Sequence, residues 1–148
     1  MEIDAGNPNH RSLRRFLRRN QVLSLSTLSA GGELYTTPLF YAFCEKPLQF
    51  FMVSGHCSRH VADIYVNPQV SCCIYTQGRN IVSLQGIQAT GFIQPAPDQN
   101  LAEKLFFRRF FYARPFFVRE KNIFMRLDIE YLKFTDNSCG FGTKIICT

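Results

Sequence analysis

The sequence predicts a mainly β chain, an antiparallel barrel or open barrel of about six strands with two or three short helices. Three observations carry that expectation. Residues 21–29 (QVLSLSTLS) alternate apolar and hydroxyl side chains with the period of a strand that lays one face on a core. Several strand-like runs are separated by short turn signals of the kind that close hairpins. One connection, residues 58–67, carries apolar residues at helical spacing instead.

The length of 148 residues suits a single domain spanning 1–148, large enough to bury a core without disulfide staples. Apolar residues make up 46% and charged residues 19%, which excludes a disordered chain, and no apolar run is long enough to cross a bilayer. The first residues, MEIDAGNPNHRSLRR, lack the apolar core of a signal peptide, so a cytoplasmic location is expected. The six cysteines (Cys44, Cys57, Cys72, Cys73, Cys139 and Cys147) fall mostly in apolar, strand-like context and are expected as reduced, buried thiols. The formal charge of +6 rests largely on arginine, concentrated at residues 11–19 and 108–119, and suits an anionic partner without naming one.

Taken in order, residues 1–8 read as a flexible lead-in and Asn9 as the cap of a helix over 9–19. Leu13, Phe16 and Leu17 form its apolar stripe, and Arg11, Arg14, Arg15 and Arg18 its opposite, solvated face. The strand at 21–29 turns through Ala30, Gly31, Gly32 and Glu33 and returns over 34–43 (LYTTPLFYAF). Pro38 inside that second strand has no N–H for a ladder, so it implies an edge or a bulge where backbone is left for a flat ring. A turn at Glu45, Lys46 and Pro47 leads to a buried strand at 49–54, and a fourth strand follows at 69–76. Residues 77–80 (QGRN) turn the chain into a long strand over 81–94. Gly86 and Gly91 mark a bend there, with Gln85 and Gln88 on either side of the first.

Asp98 is placed to cap a helix rich in Phe106, Phe107, Phe110, Phe111 and Tyr112, too apolar for a single buried face and therefore expected at a subunit interface. Phe110, Phe111, Tyr112, Phe116 and Phe117 interleave with Arg108, Arg109, Arg114 and Arg119, a pattern also compatible with nucleic-acid stacking, although core packing is the commoner use of such spacing. Residues 121–135 form another strand, and Asp136, Asn137 and Gly140 to Gly142 turn the chain into a last one.

The candidate site lies where the third strand ends. Gly55 breaks the strand before His56, Ser58, Arg59 and His60, and Ser58 stands at the cap position of the short helix. Free helix N–H groups, the Arg59 guanidinium and the Ser54 and Ser58 hydroxyls can converge on one phosphate. The same His and Cys residues make a poor zinc site, because no CxxC or HExxH accompanies them and Arg59 sets a cation beside the ion. No metal is expected. Cys57 beside His56 or His60 is likewise a poor nucleophile, since sequence neighbours seldom form the spatial triad that activates a thiolate.

The run LFYAF, then FFMVSGHCSRHVADIYVNPQVS, then GIQATG, resembles the FMN-binding split barrels of the pyridoxamine 5'-phosphate oxidase-like superfamily. In that pattern a strand ending in an aromatic and a hydroxyl residue leads to Ser-Arg-Lys, a short helix and Asn-Pro. This chain has His60 where many members carry lysine. The closing LKFTDNSCGFGTKI is similar to the signature of the uncharacterised bacterial YhbP-like branch, and RRFFYAR resembles that branch's RRFPxAR with Phe111 in place of proline.

The resemblance implies a split barrel that forms a homodimer through its barrel face, with FMN in two clefts at the interface. It assigns Ser58, Arg59 and His60 to the FMN phosphate, and Val53 and Ser54 to the ribityl chain. Thr36, Thr37 and Pro38 then approach the isoalloxazine, with Gln85 or Gln88 reaching it from the bent strand. An FMN-dependent oxidoreductase acting on an unidentified small molecule or electron donor follows, with Asp136, Asn137 and Lys144 as candidates on the substrate side and no catalytic acid or base nominated. The alternative is a non-catalytic binding module for flavin, haem or another anionic ligand.

Overall fold

The computed structural model describes residues 1–148 except Ala5 and Arg79, so those positions of the expected lead-in and of the 77–80 turn lie outside the described residues. The chain runs α1 (Pro8–Arg19), β1 (Val22–Leu28), β2 (Leu34–Phe40), β3 (Ala42–Glu45), β4 (Leu48–Gly55), α2 (Arg59–Val66), β5 (Gln69–Tyr75), β6 (Gln85–Pro95), α3 (Gln99–Arg109), β7 (Asn122–Asp136) and β8 (Lys144–Cys147). All strands belong to one antiparallel sheet of order β2-β1-β5-β6-β7-β4-β3, with β8 paired to β7.

That order dictates the shape. β2 and β3 are the two ends of the ladder, yet only Tyr41 separates them in the chain, so the sheet must curl until its edges nearly meet. The result is a split barrel, the fold class expected from the sequence. It has eight strands where about six were expected, and the 34–43 run, expected as one strand, breaks at Tyr41 into two. Tyr41 is fully buried and its N–H donates to Gln21 O, which draws the chain off the β2 ladder at that point.

β7 is the axis of the sheet. One of its edges pairs with β6 along nearly its whole length; the other pairs with β4 through its first half and with β8 through its second. Between Thr90 and Gly91 the β6 register slips, leaving Glu130 of β7 as an extra residue. Gly91 is required there, since a Cβ at that position would lie 2.0 Å from Asp128 O.

Two apolar clusters hold the fold. Leu13, Phe16 and Leu17 of α1 are fully buried in the first, with Leu23, Leu25, Phe50, Leu127 and Phe134 of the barrel wall. Phe16 sets its ring 5.1 Å from that of Phe134. The second cluster lies on the other side of β4 and β7, where Phe106, Phe107 and Phe110 pack on Phe51 and Phe124. The aromatic helix therefore covers its own barrel with those rings. Phe111, Tyr112 and Phe116 follow in a 3₁₀ turn and remain exposed.

Three local expectations shift. Asn7, not Asn9, caps α1, its side chain accepting from Asn9 N with Pro8 at the first helical position. Residues 81–83 form a 3₁₀ turn, capped by Asn80, before β6 begins at Gln85. Cys72 is buried as expected and burial pushes its thiol up to about 12, but Cys57 and Cys139 are exposed. Among the described residues no helix is long and apolar enough to cross a membrane.

Candidate functional site

β4 delivers Ser54 to the barrel end, and the turn after Gly55 reverses the chain into α2. Gly55 O accepts both Ser58 N (3.1 Å) and Ser58 Oγ (2.8 Å), which fixes the turn. Ser58 is the cap residue by position, but its hydroxyl donates to Gly55 O and caps none of the helix amides. The first-turn amides of α2 thus have neither an intrahelical acceptor nor a side-chain cap. They remain available to an anion.

His60 faces inward and is buried. Its Nε2 lies 2.8 Å from Ser54 Oγ and 3.3 Å from Ser58 Oγ, so one imidazole nitrogen ties strand, turn and helix together. Burial lowers its pKa from the ordinary 6.5, with Asp63 pulling more weakly the other way. On the next turn, buried Asp63 accepts from Thr27 Oγ1 at 2.9 Å and locks α2 onto β1.

Arg59 leaves the opposite side of the helix start. Its Nη2 donates to Glu33 Oε2 at 2.9 Å, and its Cζ lies 4.7 Å from the Tyr35 ring centroid. Glu33 is 73% exposed, so this pair is weak and an incoming phosphate can displace it at small cost. Glu33 and Tyr35 were not legible as site residues: they belong to a hairpin tip and alternating strand with no spacing that points to Arg59.

β2 is one of the two edges of the sheet, the first of the alternatives, edge or bulge, that Pro38 implied. Strand alternation divides the remaining candidates. Thr36 and Pro38 face outward, while Thr37 sits opposite inward-facing Leu25. Thr36 Oγ1 lies 2.9 Å from Ser26 Oγ, and with Gln88 it lines a shallow groove of about 350 Å³ on the outer barrel face. The register aligns Pro38, Ser24, Cys73 and Gln88 in one row across four strands. Pro38 and Gln88 are thus three strand spacings apart, roughly 14 Å.

Gln85, an odd number of residues from Gln88, points to the other face. Its Oε1 accepts from Arg19 Nη2 at 3.4 Å, and it pairs in register with Asp136. Burial alone would raise the Asp136 pKa, but hydrogen bonds from Ser138 and Gln85 outweigh it and hold the carboxyl below its ordinary value. Val53 packs toward α3 with the second apolar cluster, opposite Ser54. The structure therefore brings Ser54, Ser58 and His60 together, sets Arg59 beside them, places Thr36, Pro38 and Gln88 on the outer face, and separates Gln85 from Gln88.

No family model matches the chain. It is 32% identical over 139 residues to a UPF0306 protein of Photorhabdus laumondii, covering 93% of this chain and 94% of that one. It is 31% identical over 135 residues to a UPF0306 protein of Yersinia pseudotuberculosis, with 90% and 88% covered. Among solved structures, a heme binding protein from Mycobacterium smegmatis superposes with a TM-score of 0.74 at 13% identity; the match covers 90% of this chain and 56% of that one, little more than half its length. The heme storage protein HutZ of Vibrio cholerae gives 0.69 at 17% identity, covering 88% and 92%. A putative pyridoxamine 5'-phosphate oxidase from Listeria innocua gives 0.69 at 13%, covering 84% and 95%. At these identities the structural likeness is one of fold alone, a split barrel. The two near-full-length matches above 30% identity carry the closer relationship, and by them this chain belongs to the UPF0306 family.

Proposed function

We propose that this protein binds a planar cofactor with an anionic tail, FMN first, at the junction where α2 meets the β2 edge. The observation that carries this reading is the uncapped start of α2 beside Arg59, whose partner Glu33 is exposed and weakly held. The residues present fit a phosphate: first-turn amides and one guanidinium lie at one helix start, with an edge strand interrupted by Pro38 alongside. FMN, when bound, supplies hydride and one-electron chemistry. The chain's own part is to bind and orient. His60, buried between two serines, is held neutral and serves as a brace. Binding without turnover is therefore the reading the geometry favours over an oxidoreductase with its own acid or base.

Haem is the second reading, and His56 supports it. His56 is exposed, makes no side-chain hydrogen bond among the described residues, and lines a mostly apolar cavity of about 390 Å³ with Phe117, Phe124 and Arg119. An imidazole and a nearby guanidinium suit iron and a propionate respectively. Two structural neighbours are named as haem proteins.

A homodimer through the outer barrel face is part of the proposal. The row Thr36, Ser26, Ser71 and Thr90 is small and polar, and is fringed by exposed Phe40 and Tyr75 at one end and Leu34 and Phe92 at the other. Such a rim of apolar side chains suits a second copy of the same face. The closing KFTDNSCGFGTKI and the RRFFYAR segment support membership of the YhbP-like branch.

The test is an absorption spectrum of the purified protein after mixing with FMN, or separately with haem, and desalting. Retained flavin lost in Arg59→Ala supports the first reading. A retained Soret band lost in His56→Ala supports the second, and failure to retain either ligand overturns both. Reduction of retained flavin by NADH or NADPH with steady reoxidation would establish turnover.

A further inference from the structure

The two arginine-rich runs of the sequence, 11–19 and 108–119, lie far apart in the chain but meet in the fold. Arg14 and Arg18 of α1, Lys46 just after β3, and Arg108 and Arg109 of α3 line one cleft of about 550 Å³, floored by Phe43 and Cys44. This cleft lies at the β3 end of the sheet and shares no lining residue with the α2 site. Among its lining residues Glu45 is the one carboxylate. Its Oε1 accepts from Arg14 Nε at 2.6 Å and lies 3.4 Å from Arg18 Nη2. Five cations thus face one anion.

The cleft is not simply a solvated helix face. Its charges come from three separate elements onto a concave surface, and one of them is built in. Arg109 Nη2 donates to Leu17 O and Asn20 O, at 2.9 and 2.6 Å, which fixes the side chain. Its Nη1 is buried and has no hydrogen-bond partner among the described residues. Lys46 and Arg108 make no hydrogen bond or ion pair among the described residues and are exposed at the cleft. Like charges gathered in a concavity raise the local potential and draw in a multiply charged anion. Guanidinium forks match the geometry of phosphate oxygens. The volume lies within the range of small-ligand pockets.

We propose that this cleft binds a small molecule carrying linked phosphates, a diphosphate group either free or borne by a nucleoside. A single carboxylate or monophosphate would leave most of the charge unmatched. A nucleic-acid strand would track an extended surface, whereas these groups gather around one concavity.

The test is calorimetric titration of the full chain with inorganic pyrophosphate and with ADP at fixed low ionic strength. The proposal expects saturable binding at one site per chain, weakened tenfold or more in a Lys46→Ala/Arg108→Ala double variant. That variant breaks no hydrogen bond among the described residues. Arg59→Ala, which removes the cation of the α2 site, should leave this affinity unchanged. Equal affinity for pyrophosphate and ADP assigns recognition to the phosphates alone, and tighter ADP assigns it to a nucleotide; both support the site. No binding of either compound overturns the proposal, as does loss in Arg59→Ala with retention in the double variant. Tight binding of a single-stranded oligonucleotide that pyrophosphate does not displace also overturns it, in favour of a nucleic-acid surface.

Discussion

Arg109 lays its guanidinium over the ring of Tyr41 at 4.9 Å, and both side chains donate to the same carbonyl, that of Leu17. One residue ends α3 and the other joins the two edges of the sheet. Together they cap the C-terminal carbonyls of α1, which that helix cannot satisfy internally. Burial raises the Tyr41 phenol well above its ordinary value, so it stays a donor.

Removing either partner should therefore loosen α1 from the barrel. Tyr41→Phe deletes one neutral hydrogen bond and should cost about 1 kcal/mol, whereas Arg109→Ala removes charged hydrogen bonds to the part-buried Leu17 and Asn20 carbonyls and should cost about 3 kcal/mol. Arg109→Lys should recover little, because a point charge cannot replace the fork. Urea unfolding of the three variants measures the order, and an Arg109→Ala protein as stable as Tyr41→Phe would show that the cap is not structural.

Gly91→Ala should be among the most damaging single-methyl changes in the chain. The added Cβ would meet Asp128 O at 2.0 Å, and β7 is held at that point by ladders on both edges. The neighbour is backbone and cannot swing aside. A loss of about 3 kcal/mol is expected, read from the denaturation midpoint. Gly32→Ala concerns a turn glycine at φ 81 with nothing near its added methyl, so its cost comes from conformational strain alone.

Buried His60 makes stability depend on pH. Its folded pKa is lowered, so the stability it contributes is fully present above the ordinary value of 6.5 and is lost as pH falls through the folded value. Thermal unfolding followed from about pH 8 to about pH 5 should show the midpoint falling below about pH 6.5. His60→Gln keeps a polar side chain between Ser54 and Ser58 but cannot titrate. Its profile should be flatter in that window, and an unchanged slope would assign the pH dependence elsewhere.

Glu33 competes with any phosphate for Arg59. Glu33→Gln should tighten FMN binding, while Arg59→Ala should weaken it about 10- to 100-fold, the worth of a hydrogen bond to a charged group. Fluorescence quenching of free FMN on titration with protein measures both. Opposite shifts are the signature sought; parallel losses would mean that the pair itself holds the site together.

Much of this was legible in the sequence, for local reasons. Period-two alternation placed β1, the Asp98 cap opened α3, and Gly91 marked the irregularity in β6. Pro38 implied an edge because a missing N–H can be tolerated there. The turn at Gly55 and the position of Ser58 followed from residue type, but not the Ser58 hydroxyl's choice of Gly55 O over the helix, which depends on where His60 sits. Gln85 and Gln88 show a signal left unread, since a spacing of three residues in a strand sends them to opposite faces. The convergence of Arg14 with Arg108 had no signal at all, because sequence spacing says nothing about which end of a curled sheet two helices share.

The position of β7 also governs when the barrel can form during synthesis. β4 leaves the ribosome long before its partner: Gln49 Nε2 donates to Asp128 Oδ1 across 79 residues of chain. Until the segment from Asn122 to Asp136 emerges, β4 and β6 each present an unpaired edge to any neighbouring chain. The nascent protein is therefore most prone to aggregate just before its longest strand appears, and a chaperone that shields strand edges would matter most in that interval. High sequence separation of this kind also slows closure, since loop entropy must be overcome before the pairing gains anything.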